Sequence, residues 1–194
     1  YDENNTYDTA IEYSEDLEFY IKLAKEQAGR VLDIGCGTGR VMLPLLQAGI
    51  DVVGMDLSEH MLKSAAEKLG KAGFTPELHQ GDMREFSIPY GFKLIIIPYY
   101  AMIYMATDQE RGKVLHCCYQ HLLPGGLLAF DFDAGTNEPQ LSKPWLGFQK
   151  VEPSGEVVIQ TVQMNQVEQH LRIINMVTYR FKGSESSIQV NASV

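Results

Sequence analysis

"VLDIGCGTGR", residues 31–40, sets an apolar run against three glycines, Gly35, Gly37 and Gly39. An apolar run that stops at glycines reads as a buried strand ending in a tight turn, where the backbone takes conformations open to glycine. "RVMLPLLQAG" (40–49) follows as a helix ended by Gly49, with Pro44 removing one backbone donor from its early turns. The unit then repeats. "DVVGMD" (51–56) is a strand, and Ser58 caps a helix through Leu69 that carries Met61, Leu62, Ala65, Ala66 and Leu69 on one face. "TPELHQGD" (75–82) is a third strand, and "KLIIIPYY" (93–100) is a continuous apolar strand of the kind buried on both faces. Residues 108–122 form a helix stopped by Pro124-Gly125-Gly126, and "LLAFDF" (127–132) is the fifth strand. Upstream, residues 14–28 place Leu17, Tyr20, Ile21, Ala24 and Ala28 on one helical face behind Ser14 as N-cap. Strand and helix alternating at this spacing predict an α/β fold: a doubly wound, mostly parallel sheet with helices on both faces.

From about residue 148 the texture changes. "LRIINMVTYRF" alternates along Leu171, Ile173, Val177, Tyr179 and Phe181, and "SIQVNASV" along Ile188, Val190, Ala192 and Val194. Such alternation predicts an antiparallel β meander with one covered and one wet face. The chain thus divides into 1–137 and 138–194, the second a lid or dimerisation segment.

Composition narrows the functions. With 16 Lys+Arg against 25 Asp+Glu, the net charge is −9, which argues against a nucleic-acid partner, since a phosphate backbone needs a basic face. The cysteines are Cys36, Cys117 and Cys118, with no CxxC pair, so neither a disulfide framework nor a zinc site is expected. This usage fits the cytoplasm. The longest apolar stretch, 94–106, is too short to span a bilayer and is broken by Pro98, so no membrane partner is expected.

Dinucleotides, nucleoside triphosphates and S-adenosylmethionine all use glycine-rich turns after a strand. A P-loop would need GK[ST], which is absent. The dinucleotide fingerprint GxGxxG would place a glycine where Arg40 stands, which counts against a pyrophosphate. Asp56 ends the second strand, where a carboxylate accepts both hydroxyls of an adenosine ribose. Asp82 ends the third strand, where a carboxylate accepts the exocyclic amino group of adenine.

With these pieces in order ("VLDIGCGTGR", "VVGMDLSEHML", "HQGDMREF", "LIIIPYYAMIYM" and "HLLPGGLLAFDF") the chain resembles the class I S-adenosylmethionine-dependent methyltransferases. The likeness covers roughly residues 15–133 and is nearest to the small-molecule, amino-sugar and natural-product group. It implies a Rossmann-like sheet and S-adenosyl-L-methionine as cofactor, with no metal. It places Asp33, Gly35, Cys36, Gly37 and Gly39 around the methionine moiety. Asp56 takes the ribose, Leu57 and Met61 flank adenine, and Asp82 with the Met83 backbone takes the adenine edge. Pro98 and Tyr99 border the transferring methyl. Tyr7 or Tyr13 would reach the cofactor carboxylate. The family's final helix and antiparallel strand pair have no counterpart before Val194, so the chain is expected to be truncated or to end early.

The expected reaction is in-line displacement of a methyl group onto N or O of a small-molecule acceptor. The family's amino-sugar members often carry a histidine in the turn after strand four, where Tyr104 stands here. A tyrosine is a poor base but can orient the acceptor, and the tyrosine-rich wall favours an amine. The alternatives are methylation of RNA or protein, disfavoured by the acidic balance and the lack of an (N/D)PPY-type motif, and a non-catalytic cofactor-binding module. A homodimer is one of the two uses, with a lid, that the meander would allow.

Overall fold

A computed structural model describes residues 16–132, 140–168 and 171–193, and falls into two units that divide between residues 133 and 134. This point and the expected 137/138 boundary both lie in the stretch outside the described residues.

The first unit is α/β, as expected. Its described elements are α1 (Leu17–Gln27), β1 (Val31–Ile34), α2 (Met42–Gln47), β2 (Val52–Asp56), α3 (Glu59–Lys71), β3 (Glu77–Gln80), β4 (Phe92–Ile97), a 3-10 turn (Ala101–Tyr104), α4 (Asp108–His121) and β5 (Leu122–Phe130). The strands run parallel in the order β3-β2-β1-β4-β5. The order reverses between β1 and β4, and the crevice outside the carboxyl ends of these strands is where open α/β sheets bind ligands. Alternate residues feed two cores. Val31, Leu94 and Ile96 pack with Tyr20, Leu45, Leu62 and Leu69 on one face. Leu32, Ile34, Ile95 and Ile97 pack with Met102, Val114 and Cys118 on the other. Strands buried on both faces are continuous apolar runs for this reason.

Several boundaries differ from expectation. Helix α1 begins at Leu17 with Asp16 in the cap position, making no side-chain cap; its carboxylate goes to Arg40 instead. The expected cap, Ser14, and Tyr7 and Tyr13 lie outside the described residues. The helix carrying Pro44 is only six residues long. Strand β3 stops at Gln80, because Asp82 turns back to bridge Glu85. Strand β5 starts at Leu122, directly after α4, but its pairing with β4 breaks between Leu122 and Leu127, where the expected Pro-Gly-Gly turn stands with Gly125 at φ of 75°. Ser58 does cap α3, accepting from the Met61 amide.

The second unit is antiparallel: β6 (Gln140–Leu141), β7 (Trp145–Val151), β8 (Val157–Glu168), β9 (Leu171–Lys182) and β10 (Glu185–Ser193). The order is β10-β9-β8-β6, with β7 also on β8. Register places Val151, Val157, Ile159, Val177, Tyr179, Phe181, Ile188 and Val190 on one face. The covered face is the other one, where Val158 and Thr178 are buried. The alternating aliphatics of the outer strand are exposed, Ile188 and Val190 at 65% each.

Candidate active site

Asp33 lies inside β1 with 0% exposure, and neither carboxylate oxygen has a hydrogen-bond partner. Burial pushes its pKa up to about 8; the Arg40 guanidinium opposes the rise, while Asp56 and Asp16 add to it. After β1 the chain turns sharply. The amides of Gly35 and Cys36 both donate to the Met55 carbonyl, at 2.7 and 3.0 Å. Gly35, Gly37 and Gly39 have φ of 71°, 55° and 81°, a region that side chains disfavour.

The three glycines do different work. A Cβ on Gly37 would meet nothing within 4 Å, so the backbone there borders open space. One on Gly35 would lie 3.3 Å from the Ala101 Cβ, which brings the glycine loop against the turn after β4. One on Gly39 would press on Leu69 at 3.3 Å, so this glycine lets the loop approach α3. Cys36 is buried, and burial raises its thiol pKa well above the usual value.

Asp56 joins the two loops. One carboxylate oxygen accepts from the Gly37 amide at 2.9 Å and the other from the Ser58 amide at 2.8 Å. A carboxylate offers about four lone-pair sites, so each oxygen keeps one for a ligand hydroxyl. Leu57 beside it is exposed and Met61 is buried. Asp82 is held by Arg84, accepting from its backbone amide at 2.9 Å and from its guanidinium. Arg84 also reaches Glu110 at 2.9 Å. The ion pair keeps the Asp82 carboxyl below its ordinary range. Met83 packs on the core that includes Met55 and Ile95.

At the end of β4, Pro98 is buried, and Tyr99 and Tyr100 both have φ of 58°. Tyr104 closes the 3-10 turn with 57% exposure. Its hydroxyl pKa is raised, by desolvation first and then by the Asp56 charge, so the phenol keeps its proton.

Sequence reading missed three residues here. Arg40, read only as a missing glycine, donates to both Asp16 oxygens at 2.8 and 2.7 Å and lies 5.2 Å from the Tyr99 ring centre. Asp131, one residue beyond β5, accepts from the Tyr100 amide at 3.0 Å. Tyr20 donates to the other Asp131 oxygen at 3.3 Å. The available signal was an acid just past the carboxyl end of strand five, next to the position Asp56 holds as the last residue of strand two. Among the described residues, no cluster of His, Cys, Asp and Glu is placed to hold a metal, and no helix is long and apolar enough to cross a membrane.

Residues 31–126 match the family described as a methyltransferase domain. A dTDP-3-amino-3,4,6-trideoxy-alpha-D-glucopyranose N,N-dimethyltransferase of Streptomyces venezuelae is 32% identical over 124 residues, which cover 64% of this chain and 50% of that protein. A dTDP-3-amino-3,6-dideoxy-alpha-D-glucopyranose N,N-dimethyltransferase of Streptomyces fradiae is 29% identical over 116 residues, 60% of this chain and 44% of that protein. The chain thus spans about half the length of these curated relatives. The crystal structure of the sugar N-methyltransferase KedS8 from Streptoalloteichus shares the fold, with a TM-score of 0.81 at 20% identity, over 93% of this chain and 71% of that one.

Proposed function

Through residues 31–126 the chain belongs to the methyltransferase domain family, and on that premise we propose that it uses S-adenosyl-L-methionine to methylate a small-molecule acceptor. The observation that carries this reading is Asp33, a wholly buried carboxylate with no hydrogen-bond partner behind a glycine loop that opens at Gly37. What such a group lacks is a directly bonded partner, and the methionine end of this cofactor carries both an ammonium and a sulfonium.

The chain's residues fit the rest of the cofactor. Asp56 holds the ribose hydroxyls with its remaining lone pairs, while Gly37 and Ser58 fix its orientation. Leu57 and Met61 flank the adenine. Asp82, kept ionised by Arg84, accepts the adenine amino group together with the Met83 backbone. When bound, the cofactor supplies an electrophilic methyl group that an acceptor lone pair takes in line. Pro98 and Tyr99 border that methyl, and the loop excludes water and aligns the acceptor. Tyr104, which keeps its proton, donates a hydrogen bond that orients the acceptor and removes no proton. An amine suits this wall, because a free amine attacks without a base. The two aminosugar relatives support an amine, nitrogen methylation coming ahead of oxygen.

The N-terminal unit is the cofactor domain, and the meander is the surface on which two copies pair. Cys36, Cys117 and Cys118 are all free and buried, which supports a cytoplasmic protein.

Calorimetric titration of S-adenosylhomocysteine and of NAD into wild type and Asp56→Ala tests the reading. S-adenosylhomocysteine binding should weaken by about tenfold or more in the variant. NAD binding in its place would sink the proposal. Methylation of a panel of amines and phenols then separates an enzyme from a bare binding module.

A further inference from the structure

Tyr99 and Tyr100 are two adjacent bulky residues, both at φ of 58°. For aromatic side chains this backbone is an outlier that persists only where the surroundings over-determine it. Two sets of contacts do so, and both start on one face of helix α1. Asp16, Tyr20 and Ala24 stand four residues apart on one stripe, and Tyr20 and Ala24 are the buried residues of the helix. From the first position, Asp16 holds the Arg40 guanidinium with two bonds of 2.8 and 2.7 Å, and Arg40 lies against the Tyr99 ring. From the second, the Tyr20 hydroxyl donates to Asp131, whose other oxygen accepts the Tyr100 amide. One contact fixes the ring of the first tyrosine, and the other fixes the backbone of the second.

We propose that helix α1 braces the Tyr99–Tyr100 turn through these two contacts, and that Tyr20 and Asp131 are positioning residues that set the wall beside the transferred methyl. The second half rests on the cofactor reading above; the brace itself does not. Tyr20 and Asp131 are assigned no contact with the reacting atoms. They act by holding a backbone that would otherwise relax to an extended or right-handed conformation and carry the tyrosine rings with it.

Amide hydrogen exchange of Tyr100, followed by NMR in the ligand-free full chain, tests the brace. Exchange should quicken roughly tenfold in Asp131→Ala, which loses a charge-assisted acceptor. It should quicken less in Tyr20→Phe, which keeps the buried ring and so folds even if the first variant does not. Asp131→Asn, with one carbonyl oxygen for the same amide, should lie near wild type. Unchanged Tyr100 exchange in both Asp131→Ala and Tyr20→Phe would overturn the brace.

Titration with S-adenosylmethionine and S-adenosylhomocysteine, which differ by the methyl group and its charge, tests the positioning role. The ratio of the two affinities should shift several-fold in Asp131→Ala, whereas general destabilisation weakens both ligands together. In a Tyr100→Gly background, where glycine adopts this backbone freely, Asp131→Ala should leave the ratio unmoved. A constant ratio in Asp131→Ala alongside faster exchange would overturn the positioning role and leave a structural brace. Failure of wild type to bind either ligand would instead defeat the cofactor reading, and the exchange rates would still decide the brace.

Discussion

Asp33 illustrates how one residue joins fold and function by opposing demands. As part of β1 it has 0% exposure, so its charge is removed from water, and it has no donor to compensate. Its pKa is therefore raised to about 8, from an ordinary value of about 4. Between those two values the folded protein holds a proton that the unfolded chain has lost. Stability falls as pH rises wherever the folded state binds more protons. The contribution is thus intact at acid pH and is lost progressively as pH climbs from about 4 to about 8. Asp33→Asn carries no such proton. Thermal melting of the ligand-free protein across this interval should show wild type losing ground to Asp33→Asn as pH rises. Parallel curves would mean that Asp33 ionises normally. The acid in the first strand stood out only through the family resemblance, which implies a place for it beside the methionine moiety. Its unpaired burial was not legible, since desolvation depends on residues far away in the chain. Arg40 was hidden for a similar reason: its partners, Asp16 and Tyr99, lie 24 residues before it and 59 after it.

At the scale of elements, the legible parts were those whose residues share one environment along their length. Strands β2 and β4 are apolar because helices cover both faces, and Ser58 announces α3 through a local bond to its own first turn. Strand β5 was expected only from residue 127, where its continuous pairing with β4 begins, because Pro124-Gly125-Gly126 is turn chemistry when read locally. In the structure that segment is an irregularity inside the strand: Leu122 pairs with Phe92 and Leu127 with Leu94, Gly125 has φ of 75°, and Gly126 is crowded by carbonyls of its own turn and of β4. A Cβ on Gly126 would sit 2.9 Å from the Leu123 carbonyl, 3.0 Å from that of Phe92 and 3.1 Å from that of Lys93. Gly112 is the contrasting case, a glycine inside α4 whose Cβ would meet nothing within 4 Å. Gly126→Ala should therefore destabilise the fold by about 1–3 kcal/mol, because backbone oxygens must move. Gly112→Ala should stabilise it by about 0.5–1 kcal/mol, through helix propensity and a less flexible unfolded chain. Denaturant titrations measure both. Equal effects at the two positions would show that β5 is not packed against β4 as the register requires.

At the scale of the molecule, the two units solve the burial problem differently. The parallel sheet covers both faces with its own helices, and its core strands have almost no exposure. The antiparallel sheet carries apolar residues on a face that stays open: Val151 is 67% exposed, Ile188 and Val190 are 65%, and Phe181 is 42%. Register puts these residues of β7, β9 and β10 on one surface, joined through Val157 and Ile159 of β8. The alternation was readable from residues 171–194; which face would be covered was not, because a period of two marks sidedness and leaves the cover unspecified. A contiguous apolar surface of this kind usually marks an association site. Pairing with a second copy of the same chain makes the patch self-complementary about a two-fold axis, so each substitution acts twice in the interface. Wild type should sediment as a dimer. Ile188→Lys with Val190→Lys, on exposed positions of β10, should sediment as a monomer and keep the thermal transition of the first unit. A monomeric wild type would remove the homodimer proposal. A variant that stays dimeric would place the interface on another surface, leaving this face without a role in self-association.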